Sequence, residues 1–242
     1  MTDAVPTAEH DNEPHRREGF SDRVNRLRAG VLGANDGIVS VAAVVVGVAG
    51  ATSATAPILT AGVAAVLGGA ISMALGEYVS VSSARDSQRT LIAKEARELI
   101  ELPDEELAEL AAIYEAKGLS HETAVRVAEE LTDNDALKAH LDAELNIDED
   151  EVLKPWDAAW ASAIAFLLGA LLPMLAILLP PADIRIPVTF AATLLALAIT
   201  GALGARLGDS PWLAPTVRVV IGGALALGVT FGIGALLGTT IA

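Results

Sequence analysis

The chain has 242 residues, 52% of them hydrophobic, with a net charge of −15 and no cysteine. This apolar fraction exceeds that of ordinary soluble domains, and the absence of cysteine excludes disulfides and thiolate metal sites. The acidic balance argues against a nucleic-acid partner, because phosphate binding requires the opposite charge. The composition therefore indicates an integral membrane protein that contacts lipid and binds cations.

The N-terminal region, residues 1–28, is polar and is expected to form a tail ending near a membrane surface. Its first 20 residues lack the apolar segment of a cleavable signal peptide. His10 and His15 in this tail form a weak candidate metal site.

Five apolar stretches follow, each close to the roughly 20 residues that span a bilayer as a helix. They cover about 29–51, 57–83, 156–179, 186–205 and 216–241. An acidic region separates the second stretch from the third. The predicted fold is therefore all-α, a five-helix transmembrane bundle with a three-helix domain inserted after the second membrane helix. Its predicted regions are 29–83 for the first two membrane helices, 84–151 for the inserted domain and 152–242 for the last three membrane helices.

The basic residues predict the orientation of the chain in the membrane. Five arginines precede the first apolar stretch, and the loop between the first and second stretches carries no charge. By the positive-inside rule, the N-terminus and the acidic domain are cytoplasmic and the C-terminus is outside. Because no targeting segment is visible, a bacterial inner membrane is the expected location.

The acidic domain is expected to fold as three helices. Residues 83–151 contain twenty Asp and Glu against seven Lys and Arg. Pro103 suits the first turn of the second helix, Gly118 suits its C-terminal cap, and Ser120 suits the N-cap of the third helix.

Carboxylates repeat at helical spacing in this domain. Glu95 and Glu98 are three residues apart, as are Glu106 and Glu109, so each pair lies on one helix face. A turn at Pro103 would bring the two pairs together, and without a cation their repulsion would cost free energy. The alternative, which spacing alone favours, is a solvated acidic surface.

His140 and Glu144, four residues apart on the third helix, could complete such a site. The alternative for His140 is an exposed polar residue. Carboxylates combined with an imidazole or a thioether suit a borderline divalent ion, of which Fe²⁺ or Mn²⁺ fits best, whereas an oxygen-only cage would suit Mg²⁺ or Ca²⁺. A carboxylate can also hold a proton in place of a metal ion, so metal–proton exchange needs no further machinery.

Two acids lie inside the first two apolar stretches. Asp36 is the charged residue of the first stretch, and Glu77 lies deep in the second. A charge at mid-bilayer costs about 2.5–3.5 kcal/mol on insertion scales, so a cavity, a partner or a cation is expected to offset it. Antiparallel helices would place both acids at similar depth, and Met73 shares the helix face of Glu77. The alternatives are acids wetted at the interface and a methionine that only packs.

Enzyme motifs are absent from the sequence. It contains no P-loop, dinucleotide fingerprint, nucleophile elbow or HExxH motif. We therefore predict that the protein is not an enzyme and is not a pump driven by ATP.

Five segments together resemble the vacuolar iron transporter (CCC1/VIT1) family, in its bacterial and nodulin-like branch. They are RVNRLRAGVLGANDGIVS, ISMALGEYVSVSSARD, ELPDEELAELAAIYEAKGLS, DALKAHLDAEL and RVVIGGALALG. The resemblance implies five membrane helices, a homodimer, and a cytoplasmic metal-binding domain between the second and third helices. It also implies export of Fe²⁺, often with Mn²⁺, from the cytosol against a proton gradient, with no tightly bound cofactor.

The resemblance assigns roles to individual residues. Asp36 and Met73 match pore positions, while the metal-binding positions are matched by Glu95, Glu98, Glu106, Glu109 and Glu144. Two departures stand out. Ala65 replaces a pore glutamate, whose role Glu77 is expected to take over. His140 and Leu141 replace methionines, which changes the expected metal preference.

The predicted function is proton-coupled export of Fe²⁺, with Mn²⁺ as a second cargo. One alternative is a membrane-anchored metal buffer or sensor that transports nothing. Another is a passive channel for divalent cations.

Overall fold

The computed structural model of the chain describes residues 20–147, 154–208 and 210–241. The two tail histidines, His10 and His15, lie outside these residues. Part of the predicted tail is nevertheless helical, because the first helix begins at Phe20.

The described residues form helices and no strand, which confirms the all-α prediction. In chain order the helices are α1 (Phe20–Ala51), α2 (Thr55–Glu101), α3 (Pro103–Ala116), α4 (His121–His140), a π-helical turn (Leu141–Leu145), α5 (Pro155–Leu178), α6 (Arg185–Leu207) and α7 (Leu213–Ile241). Five of the described helices are long and apolar enough to cross a membrane, namely α1, α2, α5, α6 and α7. The predicted number of membrane helices is therefore confirmed.

Helix α2 joins what the sequence suggested were two helices. It runs for 47 residues, from Thr55 to Glu101, and this is more than twice the length needed to cross a bilayer. Pro57 lies in its first turn, where proline is tolerated, and the next proline is Pro103. Because nothing between these prolines breaks the helix, its apolar part continues directly into its acidic part.

The chain divides into two compact units, Met1–Glu77 with Trp156–Ala242, and Tyr78–Pro155. In the first unit α1 contributes to three hydrophobic clusters. Val41 and Val45 pack with α2 and α5 around Phe166, whereas Ile38 and Ala42 pack with α6 and α7. Helix α1 is therefore the element around which the membrane helices of this unit assemble.

Close contact between α1 and its neighbours depends on glycine. A Cβ atom added at Gly234 of α7 would lie 1.8 Å from the carbonyl oxygen of Gly47, and one added at Gly37 would lie 2.2 Å from that of Phe166. Such contacts exclude any side chain and let membrane helices approach closely. Gly232, two residues from Gly234, has no described atom within 4 Å of its added Cβ.

In the second unit α3 packs on α4 through a small core. Leu110 and Ala111 of α3 pack with Ala128 and Ala139 of α4. The predicted caps are confirmed: Pro103 starts α3, Gly118 has a φ of 104°, and Ser120 Oγ accepts a hydrogen bond from the Thr123 amide.

The end of α4 is a separate helical stretch. Asp135 has non-helical backbone angles, and its Oδ1 accepts a hydrogen bond from the Lys138 amide at 3.0 Å, as an N-cap does. The chain then widens into the π-helical turn Leu141–Leu145, and the helix ends at Asn146, which is left-handed with a φ of 50°. His140 and Glu144 both lie on this short stretch.

We expect Gly234→Ala to destabilise the protein by about 1–3 kcal/mol, because the added methyl group overlaps the Gly47 carbonyl. Gly232→Ala on the same helix is the matched control, since it brings the same gain in helix propensity into open space. Thermal unfolding of the purified protein in detergent measures both. Equal melting temperatures for the two variants would show that the α1–α7 contact is looser than described.

Candidate metal centre

Four side chains from the second unit meet around the His140 imidazole. The Nδ1 atom of His140 lies 2.9 Å from Glu95 Oε1 on α2, 3.6 Å from Glu106 Oε2 on α3 and 3.9 Å from Glu144 Oε2 in the π-helical turn. We call these four residues the acidic cage. Their positions follow from local structure: Glu106 lies in the first turn that Pro103 starts, and Glu144 lies four residues after His140 on the stretch that Asp135 caps.

The acidic cage is buried and lacks internal hydrogen bonds at its centre. His140 is 0% exposed, Glu95 3% and Glu106 6%, while Glu144 is exposed. Both ring nitrogens of His140 and Oε1 of Glu95 have no hydrogen-bond partner within the described structure. The 2.9 Å approach of Nδ1 to Glu95 is thus a close contact without hydrogen-bond alignment. Buried polar groups normally have a hydrogen-bond partner. Since these atoms of His140 and Glu95 have none, their lone pairs are available to a ligand.

The separations in the acidic cage suit a single metal ion. One ligand atom from each of Glu95, His140 and Glu144 lies within 4.8 Å of the other two. Ligands bound at about 2.0–2.2 Å can be separated by at most about 4.4 Å across one ion. Contraction by less than an ångström would therefore complete a three-ligand site, with Glu106 close enough to be a fourth ligand.

Two carboxyl groups of the acidic cage, those of Glu95 and Glu106, resist ionisation. Burial, followed by repulsion from Glu144 and Glu106, raises the pKa of Glu95 to about 7. Burial and the neighbouring Glu109 also raise the pKa of Glu106. Both residues lie beyond the apolar part of α2, which ends near Ser83. Proton binding and cation binding are thus alternative ways to relieve the same repulsion.

The other two predicted ligands of this domain lie at its edge. Glu98 Oε2 accepts a hydrogen bond from Lys94 Nζ at 2.6 Å, and Glu109 is exposed on α3. Both act on Glu95 electrostatically and raise its pKa. The fold therefore brings together Glu95, Glu106, His140 and Glu144, and it leaves Glu98 and Glu109 outside the immediate group.

The predicted membrane residues lie in the first unit and form no cluster of their own. Asp36 is exposed on α1, where its Oδ1 accepts a hydrogen bond from Ser40. Met73 packs against the cluster shared by α1, α2 and α5, and Glu77 is half-buried one turn beyond it. Among the described residues, no hydrogen bond or ion pair joins Asp36 to Glu77. Ala65 also packs against that cluster.

The helix register shows which of these residues share a depth. An added Cβ at Gly62 would lie 2.9 Å from a methyl carbon of Val45, so these residues of antiparallel α1 and α2 are level. Asp36 lies nine residues before Val45, and Met73 lies eleven after Gly62. With a rise of 1.5 Å per residue, Met73 is within about 3 Å of the depth of Asp36, whereas Glu77 is about 9 Å away. The expectation that Asp36 and Glu77 share a depth is thus wrong by about two helical turns.

Sequence reasoning missed two polar features of the first unit. Asn35, next to Asp36, accepts a hydrogen bond from Thr200 of α6 and so fixes the rotation of α1 at this level. Arg185 at the start of α6 is 7% exposed, and its Nε and Nη1 have no hydrogen-bond partner in the described chain. The sequence marks Arg185 only as the basic residue of ADIRIP, two residues after Asp183.

Comparison with known proteins shows the family of this chain. The sequence model of the VIT family matches residues 27–235. The chain belongs to the VIT family. The resemblance found from the sequence motifs is thereby confirmed.

Named relatives in the VIT family agree with this assignment. The chain is 41% identical over 211 residues to a protein from Acanthamoeba castellanii named vacuolar iron transporter, covering 87% of this chain and 78% of that protein. It is 34% identical over 221 residues to vacuolar iron transporter homolog 1 of Arabidopsis thaliana, covering 91% and 87%. It is 30% identical over 230 residues to VIT-like transporter 1b of Glycine max, covering 95% and 83%. These names describe transporters and not enzymes, in agreement with the sequence prediction.

We expect the metal-free VIT protein to lose stability as the pH rises from about 4.5 to about 7. In that range folded Glu95 keeps a proton that the unfolded chain releases, so the folded state loses up to about 3 kcal/mol by pH 8. Thermal unfolding in detergent with a chelator, at pH 5 and pH 8, measures the loss. Glu95→Gln should remove much of it, whereas Glu101→Gln, at an exposed position of the same helix, should leave it unchanged. A pH dependence unaffected by Glu95→Gln would contradict the raised pKa.

Proposed function

We propose that this VIT protein is a homodimeric, proton-coupled exporter of Fe²⁺, with Mn²⁺ as a second cargo, out of the cytosol. The observation that carries the proposal is the acidic cage, whose carboxylates surround a buried imidazole without hydrogen bonds. An acidic surface that served only to keep the protein soluble would expose its glutamates to water, whereas Glu95 and Glu106 are buried. In this proposal the acidic cage collects metal ions from the cytosol.

The residues of the membrane unit supply the path in this proposal. Asp36 is a carboxylate within a candidate membrane span, and an ionisable group at such a position is usually functional. The register places the Met73 thioether at the level of Asp36 and Glu77 nearer the α1 end that begins at Phe20. Carboxylate and thioether donors in this order suit stepwise transfer of a borderline divalent ion.

Proton coupling follows from the same carboxylates. A carboxylate that leaves a metal ion must either bear its charge in a poorly hydrated site or take up a proton. Protons arriving from the opposite side of the membrane would therefore release the metal and return towards the cytosol. This exchange distinguishes an antiporter from a passive channel, in which protons play no part.

A second copy of the chain would complete the path. Helix α2 carries exposed small residues at every fourth position, the spacing that lets membrane helices pack closely. These residues are Thr60, Ala64, Gly68, Ser72, Gly76 and Ser80. Gly68 and Gly76 have no described atom within 4 Å of an added Cβ. We propose that this stripe, together with exposed Asp36, faces the partner copy.

We expect Asp36→Ala and Glu77→Ala to abolish metal transport while the acidic cage still binds metal. The measurement is uptake of Fe²⁺ and Mn²⁺ into proteoliposomes with an imposed pH gradient, alongside metal binding by the same protein in detergent. Asp157→Ala, at an exposed acid in the first turn of α5, is the control and should transport normally.

The outcome also separates the rival functions. A membrane-anchored buffer or sensor gives binding without uptake in the unaltered protein, and a passive channel gives uptake that ignores the pH gradient. Full uptake by the double variant Asp36→Ala, Glu77→Ala would refute the proposed path.

We expect Ser72→Cys to form a disulfide-linked dimer in membranes, because the α2 stripe lies against its copy. The chain has no cysteine of its own, so each variant carries a single thiol. Ile199→Cys, at a position of α6 that is 51% exposed, should stay monomeric under the same oxidation. Non-reducing gel electrophoresis measures both, and cross-linking through Ile199→Cys instead would place the interface on another face.

A further inference from the structure

We infer that His140 sets the metal preference of the acidic cage, so that the cage holds Fe²⁺ and the later first-row ions more tightly than Mn²⁺ or Mg²⁺. The inference rests on the proposed function, because it concerns the site that collects the cargo. It extends that function by naming the residue, and the ring nitrogen, that discriminates among divalent ions.

The burial of His140 is the first observation. The side chain is 0% exposed, and neither ring nitrogen has a hydrogen-bond partner among the described residues. Leaving a buried polar group unpaired costs about 1–3 kcal/mol. A histidine that served only packing would be expected to have a partner for at least one nitrogen. A metal ion bound at one nitrogen would offset part of this cost.

The direction of the ring is the second observation. Nδ1, rather than Nε2, lies within 2.9–3.9 Å of the carboxylate oxygens of Glu95, Glu106 and Glu144. Adjacent ligands of an octahedral ion at about 2.1 Å lie about 3 Å apart, and opposite ligands lie about 4.2 Å apart. The distances from Nδ1 to the three oxygens thus lie in the range of ligand separations on one ion. The geometry assigns Nδ1 as the nitrogen ligand.

The ligand types then determine the preference. Three carboxylates alone would form an oxygen-only site, which suits Mg²⁺, Ca²⁺ and Mn²⁺. Imidazole adds a borderline nitrogen donor, which favours iron, nickel, copper and zinc. Removing the imidazole should therefore lower the affinity for the later ions selectively, while Mn²⁺ still binds to the oxygen ligands.

The test compares Co²⁺ and Mn²⁺ binding by full-length protein in detergent, by isothermal titration, for His140→Gln and the unaltered chain. We expect the Co²⁺ affinity to fall at least about tenfold, since even changes beyond the ligands cost 10- to 100-fold. The Mn²⁺ affinity should change by less than about threefold. His121→Gln is the matched control, because this histidine is exposed on α4 and contacts Glu115 rather than the acidic cage. Equal losses for Co²⁺ and Mn²⁺ in a variant that keeps its helical circular dichroism would overturn the inference.

A second measurement does not depend on the folding of that variant. The chain has four histidines, so changing His10, His15 and His121 to Gln leaves His140 alone. Pulsed electron paramagnetic resonance on one equivalent of Cu²⁺ in this triple variant should show the nitrogen modulation of a bound imidazole. Its absence would overturn the inference. Failure of transport in proteoliposomes with the modulation present would refute the proposed function instead, and the two failures are therefore distinguishable.

Discussion

Repulsion among buried carboxylates governs the chemistry of the acidic cage. Glu95, Glu106 and Glu144 point at one imidazole from three segments of the chain, and two of these glutamates are buried. Neither the fold nor the neighbouring residues neutralise them fully. A proton or a cation bound at this site would therefore relieve the repulsion, and in the proposed function this is the physical basis for exchanging one for the other.

A few local features of the fold bring these carboxylates together. Pro103 ends one helix and starts the next, so that Glu95 and Glu106 come from either side of a single sharp turn. Asp135 restarts the helix that carries His140 and Glu144. Small core residues such as Ala128 and Ala139 let α3 and α4 approach closely. The first unit uses the same principle in the membrane, where glycine contacts hold α1 against α5 and α7.

The sequence predicted the individual helices better than their continuity and their packing. Apolar stretches of bilayer length located the five membrane helices, because length and composition suffice for that purpose. The unbroken α2 was missed, since a change from apolar to acidic composition resembles a boundary although no residue there breaks a helix. The caps at Pro103, Gly118 and Ser120 were predicted correctly because they depend on local conformation alone.

Site residues depend on tertiary packing, which spacing does not encode. Spacing grouped Glu98 with Glu95 and Glu109 with Glu106, yet the second member of each pair lies at the edge of the acidic cage. His140 was the reverse case. Spacing paired it with Glu144 but did not distinguish it from an exposed polar residue, whereas its complete burial beside three carboxylates does. Likewise, only the contact between Gly62 and Val45 reveals that Met73, not Glu77, is level with Asp36.

The most direct test of metal–proton exchange uses a metal gradient alone to drive proton movement across the membrane. Proteoliposomes containing the protein and a pH-sensitive dye would receive Mn²⁺ outside, with equal pH on both sides and the membrane potential clamped. We expect the interior to become alkaline as Mn²⁺ enters, because protons leave in exchange. Entry of Mn²⁺ without any change of internal pH would contradict it.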